Sequence, residues 1–72
     1  MTNVELLSEK IKSIGITKGE IADILQISRQ GLWKKITGKA EWKSDEIVTM
    51  KNILNLTNDE VMAIFFAESC QN

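Results

Sequence analysis

Between Ser28 and Lys43 the chain gathers side chains suited to gripping another macromolecule: Ser28, Arg29, Gln30, Trp33, Lys34, Thr37, Lys39 and Lys43. A guanidinium and a carboxamide are planar two-point hydrogen bonders. On duplex DNA Arg29 would match a guanine edge and Gln30 an adenine edge, each giving roughly 1–3 kcal/mol of discrimination. Lys34, Lys39 and Lys43 suit phosphates, although for Lys34 and Lys35 a merely solvated helix face serves equally well. The Ser28 hydroxyl either caps a helix or meets a partner. Trp33 has three destinations: sideways against Thr17 to Glu20 or the core, along sugar and thymine methyl groups, or at the centre of a protein interface. Tryptophan and arginine are enriched among the residues that dominate such interfaces. Arg29, Gln30, Trp33 and Lys34 together fit a protein-binding patch at least as well as a base-reading one.

Catalytic chemistry finds no such grouping. The chain has no histidine and a single cysteine, Cys70, with no basic residue near it in sequence. A nucleophile–base pair therefore lacks members, and one cysteine without histidine does not build a typical zinc site. The glycines, at 15, 19, 31 and 38, form neither a phosphate-cradling loop nor a dinucleotide fingerprint. The acidic pairs Asp45–Glu46 and Asp59–Glu60 fall in first turns of helices, where capping and the helix dipole account for them. The expectation is a protein that is not an enzyme, with no cofactor, no metal and no small-molecule substrate.

Five helices are needed to position these residues. Asn3 or Thr2 can cap the first, in which Val4, Leu7, Ile11 and Ile14 recur at helical spacing, and Gly15 ends it. Thr17 and Glu20 have the spacing of a capping box for the second, whose apolar face is Ile21, Ala22 and Leu25. Ile27 plugs the connection. Ser28 starts the third helix, Leu32 and Ile36 point inward, and Gly38 closes it. That polarity turns Gln30, Trp33, Lys34 and Thr37 outward. Residues 38 to 43 form a loop holding Trp42. Ser44 is expected to cap the fourth helix, with Ile47, Met50 and Leu54 inward. Asn55 and Leu56 connect it to a fifth, whose capping box is Thr57 with Glu60. That last helix is apolar around more than half its circumference: Val61, Met62, Ile64, Phe65 and Phe66. Val61, Ile64 and Phe65 can complete a core, leaving Met62 and Phe66 either simply half-exposed or at a subunit interface. Residues Ser69 to Asn72 are expected to fray.

At 72 residues and 43% hydrophobic composition the chain makes one small globular domain, residues 1–72, with a marginal core. It contains no proline, which leaves helices uninterrupted. No apolar run approaches the ~20 residues of a membrane span. The opening MTNVELLSEK lacks the basic start and long apolar segment of a signal peptide, so a cytoplasmic, membrane-free location is expected. Nine basic and ten acidic residues give a net charge of −1. The charge is unevenly spread. Ile24 to Ala40 holds Arg29, Lys34, Lys35 and Lys39 and no acid, a local +4, so the rest of the chain carries −5.

The stretch TKGEIADILQISRQGLWKKITGK, residues 17–39 with the motif itself at about 17–38, resembles the helix-turn-helix of the Cro/CI repressors of temperate phages and their bacterial relatives. GKAEWKSDEIVTMKNILNLTNDEV resembles the same family's loop, fourth helix and capped fifth helix, so the likeness covers most of the chain. It implies an all-α, five-helix, lambda-repressor-like helix-turn-helix domain. It also departs from that pattern: Gln26 stands where the turn usually has glycine, and Lys43 where a proline often precedes the fourth helix. The positions matching Ser28, Arg29, Gln30, Trp33, Lys34 and Thr37 are those that enter the major groove in the family. The whole chain is similar to the small modulator-of-repression proteins of phages of Gram-positive bacteria. That similarity implies a part in the choice between lysis and lysogeny, exerted with a CI-type repressor as partner. Two functions follow as expectations. One is an antirepressor or modulator gripping a CI-type repressor through the third helix. The alternative is a Cro-like transcription factor binding operator DNA directly. A monomer or weak homodimer is expected in either case.

Overall fold

In the computed structural model the described residues are 2–67, and they form five helices with no strand among them. These are α1 (Val4–Ile14), α2 (Lys18–Leu25), α3 (Arg29–Ile36), α4 (Ser44–Leu54) and α5 (Asn58–Phe65). The protein is an all-α helix-turn-helix-like domain. The expected fraying of Ser69 to Asn72, and Cys70 with it, lies outside the described residues.

Local chemistry sets most of the helix ends. Asn3, not Thr2, caps α1, its side chain accepting from the Leu6 amide at 3.1 Å. Thr17 and Glu20 form a complete box at α2: Thr17 Oγ1 accepts from the Glu20 amide, and the Glu20 carboxylate accepts from the Thr17 amide, both at 3.1 Å. Thr57 and Glu60 repeat it at α5. Each cap satisfies amides that a helix start leaves without intrahelical partners.

Ser44 does not cap α4. It is the first helical residue, and Lys43 occupies the cap position in extended conformation (φ −81°, ψ 156°). The reason is Glu46, whose carboxylate accepts from the Lys43 amide at 2.8 Å. That reach spans three residues and selects Lys43. An ammonium cannot accept a hydrogen bond, so only the carboxylate half of a box exists here.

The turn of the helix-turn-helix is a Schellman closure. The Ile27 amide donates to the Ala22 carbonyl at 3.0 Å and the Gln26 amide to the Asp23 carbonyl at 3.2 Å. Gln26 sits between them in left-handed conformation (φ 58°, ψ 43°), where glycine carries no penalty and a side chain does. The chain takes this turn without the residue best suited to it.

Leu7 and Ile11 of α1, Ile21 and Ala22 of α2, Leu32 and Ile36 of α3, Met50 and Leu54 of α4, Leu56, and Ile64 and Phe65 of α5 make one buried core. Leu7, Ile21, Leu32, Met50 and Ile64 are fully enclosed, each worth about 1.5–3 kcal/mol relative to exposure. α1 lies against α3, α4 and α5, α2 against α3, and α4 against α5. Val61, Leu25, Ile27 and Ile47 pack half-buried at the edges. Ile14 departs from the expected inward stripe: it is 48% exposed. It falls in the last turn of α1, just before the left-handed Gly15 sends the chain away. At the opposite end of the helix the Asn3 amide donates to the Ile64 carbonyl of α5 at 2.7 Å, joining the two ends of the described chain. No helix among the described residues is long and apolar enough to cross a membrane.

Candidate functional site

α3 is held by its inward side. Leu32 and Ile36 are 1% and 3% exposed, and Ser28 Oγ accepts from the Gly31 amide at 3.0 Å, closing the N-terminus. With about 100° between successive residues, this leaves Arg29, Gln30, Trp33 and Lys34 exposed on the outer face. Ser28 itself is exposed but already accepts one bond as a cap. Thr37 is half-buried, and its hydroxyl donates to the Trp33 carbonyl at 2.8 Å. Its proton is therefore committed to the helix rather than turned outward.

The C-terminus of α3 builds the next feature. The Lys39 amide donates to the Lys34 carbonyl at 2.8 Å and the Gly38 amide to the Lys35 carbonyl at 3.2 Å, a second Schellman closure. Gly38 takes the left-handed conformation it requires (φ 82°). This reversal carries Lys39 back over α3, where its ammonium stands 4.6 Å from the centre of the Trp33 ring. That is within range for a cation–π attraction. Trp33 nonetheless keeps 49% of its surface exposed. It is neither a core residue nor free on all sides.

On the other flank of Trp33, Arg29 lies back across α2. A Cβ placed on Gly19 would be 2.9 Å from Arg29 Nη2 and 3.3 Å from its Cζ. The guanidinium thus rests on the bare backbone of the first turn of α2 instead of extending straight out from α3. Lys18, Gly19, Arg29, Gln30, Leu32 and Trp33 line a shallow groove of about 350 Å³ between the two helices.

Lys35 does not stand on the solvated face. Its ammonium contacts Glu46 Oε1 at 2.8 Å and donates to the Glu41 carbonyl at 3.0 Å. Both side chains of the ion pair are largely covered, 13% and 10% exposed. Burial alone would raise the Glu46 carboxyl, but the Lys35 hydrogen bond, the Lys43 amide and the charges of both lysines outweigh it and hold the pKa below the usual value. One carboxylate thereby ties α3 to the start of α4 and braces the loop between them. The same loop is pinned by Trp42, set edge-on to Phe65 with ring centres 5.2 Å apart. The +4 of the Ile24–Ala40 stretch therefore shrinks: Arg29, Lys34 and Lys39 remain exposed, joined by Lys43 from the loop's end.

Met62 and Phe66, one helical turn apart, are 41% and 39% exposed. Ile24 at 52% and Val48 at 58% are more so, hence exposure by itself does not single out α5.

A family model described as "Protein of unknown function (DUF739)" matches residues 3–68. The chain belongs to the DUF739 family. No curated protein and no solved structure matches the chain. The DUF739 match runs from the cap of α1 through all of α5, so the whole helix-turn-helix body and both flanks of Trp33 lie within the family region.

Two parts of this DUF739 site carry no local signal. The Lys35–Glu46 brace joins residues on different helices. The rest of Arg29 on Gly19 depends on how α2 crosses α3.

Proposed function

We propose that this DUF739 protein is a genetic-switch regulator of the kind its resemblance to phage modulator-of-repression proteins implies. In this reading it acts as an antirepressor that grips a CI-type repressor through the outer face of α3. The observation that carries it is Trp33: a large apolar ring, 49% exposed, held on the outer face of a firmly anchored helix with a lysine stacked on it. Leaving an indole in water on a small domain is unfavourable, and covering it with a partner recovers that cost. Interfaces of this type centre on tryptophan and arginine, and Arg29 stands beside Trp33 across the groove.

Direct operator binding is the second reading, favoured by the exposed Gln30 near the start of α3, the exposed Lys34 in its last turn, and the acid-free stretch around them. The electrostatics favour it less. Lys35 is neutralised by Glu46, Lys39 is drawn onto Trp33, and Arg29 leans back on α2. Four phosphates neutralised per subunit would give a salt slope of only about −3.6.

Fluorescence anisotropy separates the two. DNA from upstream of the gene is titrated with this protein, with the neighbouring repressor, and with both, at two salt concentrations. The antirepressor reading expects no tight binding alone and loss of the repressor–DNA complex on mixing. Tight binding alone, with no effect on the repressor, would sink it in favour of the second. Trp33→Ala should weaken the repressor complex by ~2 kcal/mol or more, roughly thirtyfold.

A further inference from the structure

We infer that the groove between the first turn of α2 and the outer face of α3 is a socket for one apolar side chain of an acidic protein segment, kept open by Gly19. The inference rests on the protein-partner reading above and specifies what that partner presents. The groove, of about 350 Å³, is walled mainly by apolar surface, with Gly19 on one side and Trp33 and Leu32 on the other. Leu32, a core residue 1% exposed, is the most deeply buried of the side chains that line it.

Its rim has the opposite character. Lys18 and Arg29 border the groove, and the Lys39 ammonium stands over the ring of Trp33, 4.6 Å from its centre. No acid occurs from Ile24 to Ala40. The neighbouring acid on α2, Glu20, already accepts from the amide and hydroxyl of Thr17. An occupant complementary to both parts carries a leucine- or methionine-sized side chain for the hollow and carboxylates on either side of it for the cations. Duplex DNA satisfies the rim but not the hollow, because a phosphate or base edge placed against apolar walls loses hydration without gaining partners.

Gly19 supplies the room in which the Arg29 guanidinium lies. Arg29 Nη2 lies 2.9 Å from where a Cβ would be, and Nε lies 3.4 Å from it. The backbone at Gly19 is helical, so alanine is tolerated by the fold. Its methyl group would occupy the wall and push the flexible guanidinium into the hollow.

The test uses the full isotope-labelled chain and a short helical peptide with one central leucine flanked by glutamates. Saturable shifts are expected at the Gly19 and Arg29 amides and the Trp33 indole, with the Trp42 indole unmoved. The same peptide with alanine for leucine should bind at least about tenfold more weakly, and glutamine for glutamate should remove most of the salt dependence. Gly19→Ala should melt no lower than the parent yet bind the leucine peptide at least about tenfold more weakly. Equal binding of the leucine and alanine peptides, no saturable shift, unchanged binding by Gly19→Ala, or tighter occupation of the same residues by duplex DNA would each overturn the socket. The two levels separate in the repressor assay. If the parent and Gly19→Ala release the repressor from DNA equally well, the socket is wrong and the antirepressor reading stands. If the parent leaves the repressor untouched, that reading fails whatever the peptide does.

Discussion

Replacing Glu46 by glutamine tests whether the loop behind α3 is held electrostatically. The carboxylate accepts from Lys35 Nζ and from the Lys43 amide, both at 2.8 Å, with little of either charged side chain open to water. Glutamine keeps the shape and one acceptor oxygen but leaves the Lys35 charge without its counter-ion. Hydrogen bonds to charged groups are worth about 1.5–3 kcal/mol, and some of this survives in the neutral amide. Lys35 also keeps its bond to the Glu41 carbonyl, so the loss should fall below the 3–5 kcal/mol typical of a fully buried pair. We expect about 2 kcal/mol. A domain of this size has roughly 4–11 kcal/mol in all, and each kcal/mol moves the melting point by about 4–8 °C. The midpoint should thus fall by roughly 8–16 °C. Urea melts at neutral pH should show a lower midpoint with unchanged slope.

The pH dependence gives the sign. Glu46 has a lowered pKa when folded, so its contribution is fully present above the ordinary glutamate value and is lost as pH falls through the folded value. The parent should lose stability steeply below about pH 4.3, and Glu46→Gln less so. Glu60, lowered by its hydrogen bonds from Lys10 and the Thr57 amide, leaves a residual slope of the same sign in the variant. A variant within about 0.5 kcal/mol of the parent at pH 7, with an equally steep acid limb, would refute the brace.

Other changes have equally definite outcomes. Gln26→Gly relieves a left-handed side chain worth about 1–2 kcal/mol and costs about 0.5–1 in unfolded-state entropy. A gain of about 0.5 kcal/mol is expected by thermal melts, and a loss would mean that the Gln26 side chain contributes something the turn needs. Leu32→Ala removes a residue 1% exposed and should cost about 2–5 kcal/mol in chemical denaturation. A cost under 1 would show that α3 is not anchored there. Phe66→Glu addresses association: sedimentation showing the same species before and after excludes the Met62–Phe66 side of α5 from any subunit contact.

What could be read from the chain divides by distance along it. Thr17 with Glu20, Thr57 with Glu60, Ser28, Gly15 and Gly38 act on amides and carbonyls within one turn, and their residue types declare that chemistry. The inward stripes of α2 and α3 were equally plain. Ser44 misled because its type suits a cap, whereas the deciding contact was Glu46 to Lys43, a spacing visible in the sequence but attached to a residue that does not cap. Ile14 kept the helical rhythm beyond the point where anything remains to cover it. The pairing of Lys35 with Glu46, of Lys39 with Trp33, and of Arg29 with the surface of Gly19 arises from how separate helices and a loop meet. No local pattern encodes those meetings, and together they decide which cations of the patch face outward.

The hydrogen bond from Asn3 to Ile64 makes the domain a latched ring rather than an open string of helices. α2 and α3 can pair as soon as their short segment is made, but this latch must wait until nearly all the described residues have been brought around. Hydrogen exchange at that single amide therefore reports how readily the latch opens relative to the body of the domain. It also marks where a short linker could join the ends in a circular permutant that leaves the opening end of α3 untouched.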